Sequence, residues 1–302
     1  MTKSESTTID TGAAALRHRA VTVDGLDIFY REAGPADAPT LVLLHGFPSA
    51  SHQYAPLMSR LADRVHVVAP DYPGFGHSSA PASTHDGGSF AYTFDHLAQV
   101  TEAFLDAIGV TSFFVYVFDF GAPVGFRLAT HHPERIRGVI AQNGNAYVAG
   151  LGPNMQPVVK PGPDRHAFNE QVKAVLSLDT TRSQHVDGVR NIELVDPDTW
   201  TLDQHWMDQP GRGPIMLDLL YDYQSNIALY PHWQEWLRKS HPPVLLPWGR
   251  NDRFFPEAGA RAYLTDVPQA ELHLLDTGHF ALDDHLVEIA GLVADFIARH
   301  SR

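Results

Sequence analysis

Three side chains in this sequence have the types and positions for chemistry on a small molecule: Asp119, Asp252 and His279. Each follows an apolar run that reads as a strand, and open sheets of parallel strands place their ligands beyond the carboxyl ends of those strands. Asp119 sits in Val117-Phe118-Asp119-Phe120-Gly121, a sharp strand-to-helix turn that would push the aspartate into a site. Asp252 lies in the run Gly249-Arg250-Asn251-Asp252-Arg253, and His279 in Thr277-Gly278-His279-Phe280. A carboxylate nucleophile, an imidazole that takes a proton from water and a second carboxylate that orients the imidazole make a complete two-step hydrolytic set. Taken alone, each residue also fits a plain role, the aspartates as helix N-caps and the histidine as one of eighteen. The joint pattern sets them apart: three competent residues, each at a strand end, in the order nucleophile, acid, histidine.

The elements that must position them follow from periodicity. Runs at Val21–Val23 and Ile28–Tyr30 flank an Asp24-Gly25 turn signal and predict a β-hairpin. Thr40–Leu44, Val65–Ala69, Ser112–Phe118 and Arg137–Ala141 read as buried strands, separated by helical stretches from about His52 to Ala62, Phe94 to Ile108 and Asp119 to Thr130. This alternation predicts an α/β fold, a mostly parallel, doubly wound sheet. After Asn143 the pattern breaks at Gly150-Leu-Gly-Pro153 and Lys160-Pro-Gly-Pro163 and turns helical and aromatic, which predicts an inserted helical cap. Strands resume at Pro243–Trp248 and Glu271–Leu275, and an amphipathic helix from about Leu286 to Arg299 closes the chain. The expected organisation is a disordered tail over 1–16, a core in two parts over 17–146 and 240–302, and the cap over 147–239.

Composition bounds what such a fold could do. The 302 residues, 44% of them hydrophobic, suffice for a large core. The net charge of −13 is scattered, which argues against a nucleic-acid partner. With no cysteine, disulfides and thiolate metal sites are excluded, and the histidines show no zinc spacing, so neither metal nor cofactor is expected. Lacking a signal-peptide core or a membrane-length apolar run, the sequence is expected to be cytoplasmic, a monomer or homodimer with no membrane partner.

The chain resembles the α/β-hydrolase superfamily, and within it the branch of epoxide hydrolases and haloalkane dehalogenases. His45-Gly46-Phe47-Pro48 matches the HGxP motif of epoxide hydrolases, Asp71-Tyr-Pro-Gly-Phe-Gly-His-Ser78 the DxxGxGxS loop of the superfamily, and Asp119 the aspartate nucleophile. The resemblance covers nearly everything after the tail. Val117 departs from it, since the turn pattern prefers a small residue there. An aspartate changes the reaction class. A carboxylate attacking an sp³ carbon forms an ester that water can cleave, whereas attack on an ester substrate would give an anhydride. The resemblance implies that Asp119 opens the substrate and that His279, oriented by Asp252, activates the water. The backbone N–H groups of Phe47 and Phe120 would form the oxyanion hole, and their rings would line the substrate site.

Epoxide hydrolases protonate the ring oxygen with cap tyrosines. The resemblance places that role on Tyr223, in Tyr221-Asp-Tyr223-Gln-Ser-Asn226, with Tyr221 beside it as a substrate contact. Between Tyr147 and Tyr221 there is no second tyrosine; the region offers His166, His185 and Phe168, of which either histidine could supply a proton, though both are expected as exposed cap residues. Haloalkane dehalogenases hold halide with a tryptophan after the nucleophile and often an asparagine in the HG loop, whereas Phe120 and Phe47 stand here, and the arginine of fluoroacetate dehalogenases is also missing. The expected substrate is a small apolar epoxide, with an alkyl halide as the alternative and a non-catalytic small-molecule receptor as the alternative from another class. The cap aromatics Trp200, Trp206, Tyr230, Trp233 and Trp236 are expected to pack the cap rather than bind.

Overall fold

The structure is a computed structural model that describes residues 15–301, so all but the last two residues of the expected tail lie outside it. One eight-stranded sheet organises the chain: β1 (Arg17–Val23), β2 (Leu26–Ala33), β3 (Thr40–Leu44), β4 (His66–Pro70), β5 (Phe113–Phe118), β6 (Ile136–Gln142), β7 (Val244–Gly249) and β8 (Glu271–Leu275), in the spatial order β1-β2-β4-β3-β5-β6-β7-β8. The hairpin β1–β2 and the β2–β4 pair are antiparallel, and all remaining pairs are parallel. From β3 the chain first crosses to β4 on one side, then returns to β5 on the other. That reversal opens a crevice beyond the carboxyl ends of β3 and β5.

Both faces of the sheet are covered along β3 to β7, which explains the near-continuous apolar runs of these strands. Residues alternate strictly between two cores: Val42, Leu44, Val115 and Val117 point to one side, and Leu41, Leu43, Phe114 and Tyr116 to the other. Helices α1 (Ala55–Leu61), α2 (Phe94–Ala107) and α3 (Gly121–His131) follow β3, β4 and β5. Between β6 and β7 there are helices only: α4 (Gln156–Val159), α5 (Arg165–Val172), α6 (Leu178–Val186), α7 (Pro197–Met207) and the long α8 (Arg212–Ser240). Helices α9 (Glu257–Asp266) and α10 (Leu282–His300) complete the chain. The last helix begins at Leu282 rather than at Leu286, because helical turns lie on both sides of a kink at His285 (φ −117°, ψ 23°).

The loops at the crevice are held by buried polar groups. Asp71 accepts hydrogen bonds from the backbone N–H groups of Ser51 (2.7 Å) and His77 (2.9 Å), tying the turn after β4 to the one after β3. His45 accepts from the N–H of Tyr72 at 3.2 Å, and burial depresses its pKa to about 4, so it serves as a neutral acceptor. No helix among the described residues is long and apolar enough to cross a membrane.

Candidate active site

Asp119 is placed by strain that the fold sustains. Its φ of +48° lies in the left-handed region, where a non-glycine residue persists only when its surroundings dictate it. Strand β5 enters the turn fully buried and α3 leaves it at Gly121, where a Cβ would meet the Leu44 carbonyl oxygen at 2.1 Å. Val117, the bulky departure from the turn pattern, fits because its methyls lie against Gly125 and Gly144, where added Cβ atoms would approach them to 2.4 and 2.9 Å. The glycines supply the space that the strand residue takes.

The structure brings Asp119, Asp252 and His279 together. The Nδ1 of His279 lies 2.7 Å from Asp252 Oδ2, and its Nε2 lies 3.8 Å from Asp119 Oδ2. The other oxygen of Asp119 accepts from the Phe47 N–H at 2.6 Å. All three side chains are buried. Burial raises the Asp119 pKa, against the lowering effects of His279 and of the backbone N–H groups of Phe47 and Phe120. For His279, burial acts downward, but the charge and hydrogen bond of Asp252 and the charge of Asp119 outweigh it and raise the pKa. The imidazole ring is also packed against Phe118, with centroids 4.6 Å apart.

Asn143, directly after β6, joins the candidate site, although in the sequence it marks only the point where strand alternation ends. It has φ +45°, donates to Asp252 Oδ2 at 2.8 Å and to the Gly249 carbonyl at 3.1 Å, and accepts from the Gly249 N–H at 2.9 Å. It thereby fixes the carboxylate that holds His279. Its only sequence signal is an asparagine directly after a strand, a residue type that tolerates the left-handed region.

Asp119 opens into a cavity of about 310 Å³ lined by Phe47, Phe120, Phe254 and aliphatic residues of the inserted helices. Apolar walls with a few polar groups suit a small organic ligand. The cap tyrosines sit differently from expectation. Tyr223 is buried beside Phe120, at 6.3 Å between ring centroids, but it does not line the cavity, and its hydroxyl faces that of Tyr230 at 3.5 Å. Tyr221, expected as a substrate contact, does not line the cavity: its ring lies under the Arg165 guanidinium, and its hydroxyl donates to the Gly162 carbonyl. Two residues along a helix means a rotation of about 200°, so Tyr221 and Tyr223 occupy opposite faces of α8. Phe168 packs on Tyr221 at 5.1 Å, away from the cavity, and none of the five cap aromatics lines it.

His166 is exposed, but the expectation of exposure fails for His185, which is buried between Asp203 (2.9 Å) and Asp283 (2.7 Å) and stacks on Phe280 at 3.9 Å. Two carboxylates compensate the burial of this ring, and neither lies near it in sequence. Among the described residues, no group of three or more histidine or acidic side chains is arranged to hold a metal ion.

A doubly wound sheet with a strained aspartate after β5 and a carboxylate–imidazole pair after the last two strands defines an α/β hydrolase. The chain belongs to that family: residues 39–286 match the alpha/beta hydrolase fold family, and its relatives place it in the branch of haloalkane dehalogenases and epoxide hydrolases. An uncharacterized hydrolase of Saccharomyces cerevisiae is 41% identical over 288 residues, 94% of this chain and 97% of its own length. A haloalkane dehalogenase of Psychrobacter cryohalolentis is 35% identical over 284 residues, covering 92% of this chain and 89% of its own. Among solved structures, a haloalkane dehalogenase of Bradyrhizobium elkani superposes with a TM-score of 0.74 at 21% identity over 95% of this chain and 98% of that one, a likeness of fold.

Proposed function

We propose that this protein hydrolyses small apolar epoxides to vicinal diols through a covalent ester on Asp119. The observation that carries the reading is the division of labour within one carboxylate: Oδ1 accepts the Phe47 N–H while Oδ2 faces His279 without a hydrogen bond to it. Oδ2 attacks a ring carbon, the carbon–oxygen bond breaks, and the electron pair passes to the ring oxygen, which takes a proton from Tyr223 once that hydroxyl turns from Tyr230. Water then attacks the ester carbon while His279, oriented by Asp252, accepts a proton from it. Oδ1 carries the negative charge of that tetrahedral intermediate, a role supported by its hydrogen bond from the Phe47 N–H, with the Phe120 N–H as the proposed second donor. Collapse breaks the ester carbon–oxygen bond; the departing alkoxide takes the remaining proton of the water-derived hydroxyl, which frees the diol and leaves Asp119 ionised, and the proton held by His279 restores the phenol of Tyr223.

Dehalogenation by the same three residues is the second reading. It is favoured by the Psychrobacter cryohalolentis relative and by the position of the Tyr223 hydroxyl outside the cavity, since a halide leaves without needing a proton. Incubation with aryl and alkyl epoxides and with chloro- and bromoalkanes, following diol and halide release, separates the two. Diol formation abolished by Asp119→Ala supports the first reading, and halide release the second. A protein that yields neither product, with Asp119 unmodified, would be a receptor rather than an enzyme of this kind.

A further inference from the structure

Four phenylalanine rings surround the His279 imidazole: Phe118, Phe254, Phe255 and Phe280, with centroids at 4.6, 5.4, 5.8 and 5.3 Å from it. Phe118, Phe255 and Phe280 are buried in the protein and lie outside the cavity. Phe254 differs from them on both counts. It is only partly buried, and it lines the cavity into which Asp119 opens. An aromatic ring left partly uncovered in an apolar cavity is surface that a bound ligand would take out of water.

The backbone fixes where this ring stands. The Phe254 N–H donates to Asp252 Oδ1 at 2.7 Å, while Asn143 and His279 engage Oδ2. Its carbonyl accepts from the Gly152 N–H at 2.8 Å, at the start of the inserted segment. The contact is close: a Cβ added at Gly152 would meet the carbonyl oxygens of Arg253 and Phe254 at 2.2 and 2.9 Å. Phe254 therefore stands on the His279 side of the cavity, whereas Phe47 and Phe120, with rings 5.7 Å apart, flank the nucleophile. Asp119 Oδ2 faces the same side, 3.8 Å from His279 Nε2. The carbon that Oδ2 attacks must come to lie there, and the water that later cleaves the ester must reach His279 through the same space.

We infer that Phe254 is a specificity-determining residue: its ring leaves room beside His279 for a CH2 carbon but not for one that carries an alkyl group. The substrates are then terminal epoxides attacked at the unsubstituted carbon, with their one substituent directed toward the aliphatic wall of Val158, Val172 and Val175. The inference rests on the reading of Asp119 as the ring-opening nucleophile. In that step the bond from Asp119 Oδ2 to the CH2 carbon forms, the ring bond between that carbon and oxygen breaks, and the electron pair stays with the oxygen on the substituted carbon.

The test measures kcat/KM of the full chain for styrene oxide and for trans-β-methylstyrene oxide, which adds one methyl group to the carbon to be attacked. The unmodified protein should favour styrene oxide about 10- to 200-fold, the weight of one such group against a pocket wall. Repeated turnover of styrene oxide in heavy-oxygen water should place the label on the terminal carbon, because the water oxygen enters the Asp119 carboxylate and passes to the carbon attacked in a later turnover. Phe254→Ala should reduce the preference about 10-fold or more, and Phe254→Leu by less, since each keeps the backbone donor to Asp252 but opens the wall. A preference that neither substitution changes overturns the inference while leaving Asp119 as the nucleophile, because the ring then only supports His279. Label on the benzylic carbon overturns it as well. If Phe254→Ala does not fold, the leucine variant decides alone. Absence of diol from both epoxides in the unmodified protein overturns the inference together with the reading of Asp119.

Discussion

The Nε2 of His279 stands 3.8 Å from Asp119 Oδ2, beyond hydrogen-bond reach, while its Nδ1 is bound to Asp252 at 2.7 Å. The imidazole is thus tethered on one side only, and the attacking oxygen stays free. If His279 acts solely on water, His279→Gln should leave ester formation close to the unmodified rate and slow ester hydrolysis by roughly 100- to 10,000-fold, the usual weight of a general base. Mass spectrometry of the intact protein during turnover should show an adduct that maps to Asp119. A variant that neither turns over nor accumulates ester would place His279 in the first step.

The two steps should respond differently to pH. In the free protein the charges of Asp252 and Asp119 outweigh burial and raise the His279 pKa above its ordinary value. Esterification removes the Asp119 charge, and with it part of that elevation. Ester hydrolysis needs neutral His279, so it should fall as pH drops through a midpoint below the one found for the imidazole in the free protein. NMR titration of the His279 ring, set against single-turnover ester hydrolysis, compares the two. An ester-hydrolysis midpoint at or above the free-protein value would contradict this account.

Asn143 should matter through Asp252. Its side chain donates to the carboxylate and to the Gly249 carbonyl and accepts from the Gly249 N–H. Removing a buried hydrogen bond to a charged group costs about 1.5–3 kcal/mol. Asn143→Ala should therefore lower unfolding free energy by an amount of that order and slow ester hydrolysis more than ester formation, because Asp252 acts only through His279. Denaturant unfolding and single-turnover kinetics check the two halves. Equal effects on both steps would mean that Asn143 supports the site as a whole.

What could be read from the sequence follows from how far each signal reaches. Asp119 and Asp252 follow fully buried strands and His279 an edge strand of which only Leu275 is buried, and strand ends are visible as local apolar runs; the sheet then brings the three together. The helical segment between β6 and β7 could be recognised as an insertion by its turn-rich start, but not its internal arrangement. That Tyr221 lies away from the cavity could not be read, because adjacency along a motif says nothing about helix face. The burial of His185 and the role of Asn143 as a partner of Asp252 were not legible for a different reason. Their partners lie 18 and 98 residues away in the one case and 109 in the other, and no local pattern announces such pairs.

The buried His185 cluster carries the last prediction, about stability rather than chemistry. Burial alone would lower the pKa of this ring, but its hydrogen bonds to Asp203 and Asp283, with their charges, raise it to about 9. Asp203 also faces His52, at 2.8 Å, and its pKa is held below the usual carboxylate range: burial raises it, and the two histidines more than reverse that. A group whose pKa is higher in the folded state stabilises fully below its unfolded value and loses that contribution as pH rises through the folded one. For His185 the contribution should be complete below about pH 6.5 and gone above its folded-state value near 9, a difference on the order of 3 kcal/mol. The cluster joins α6 and α7 of the insertion to α10 of the core. Thermal melts from pH 6 to 10 should therefore show the unmodified protein losing more stability than His185→Gln, whose side chain does not titrate. Parallel curves for the two proteins would show that the ring is already neutral in the fold, held by hydrogen bonds without charge.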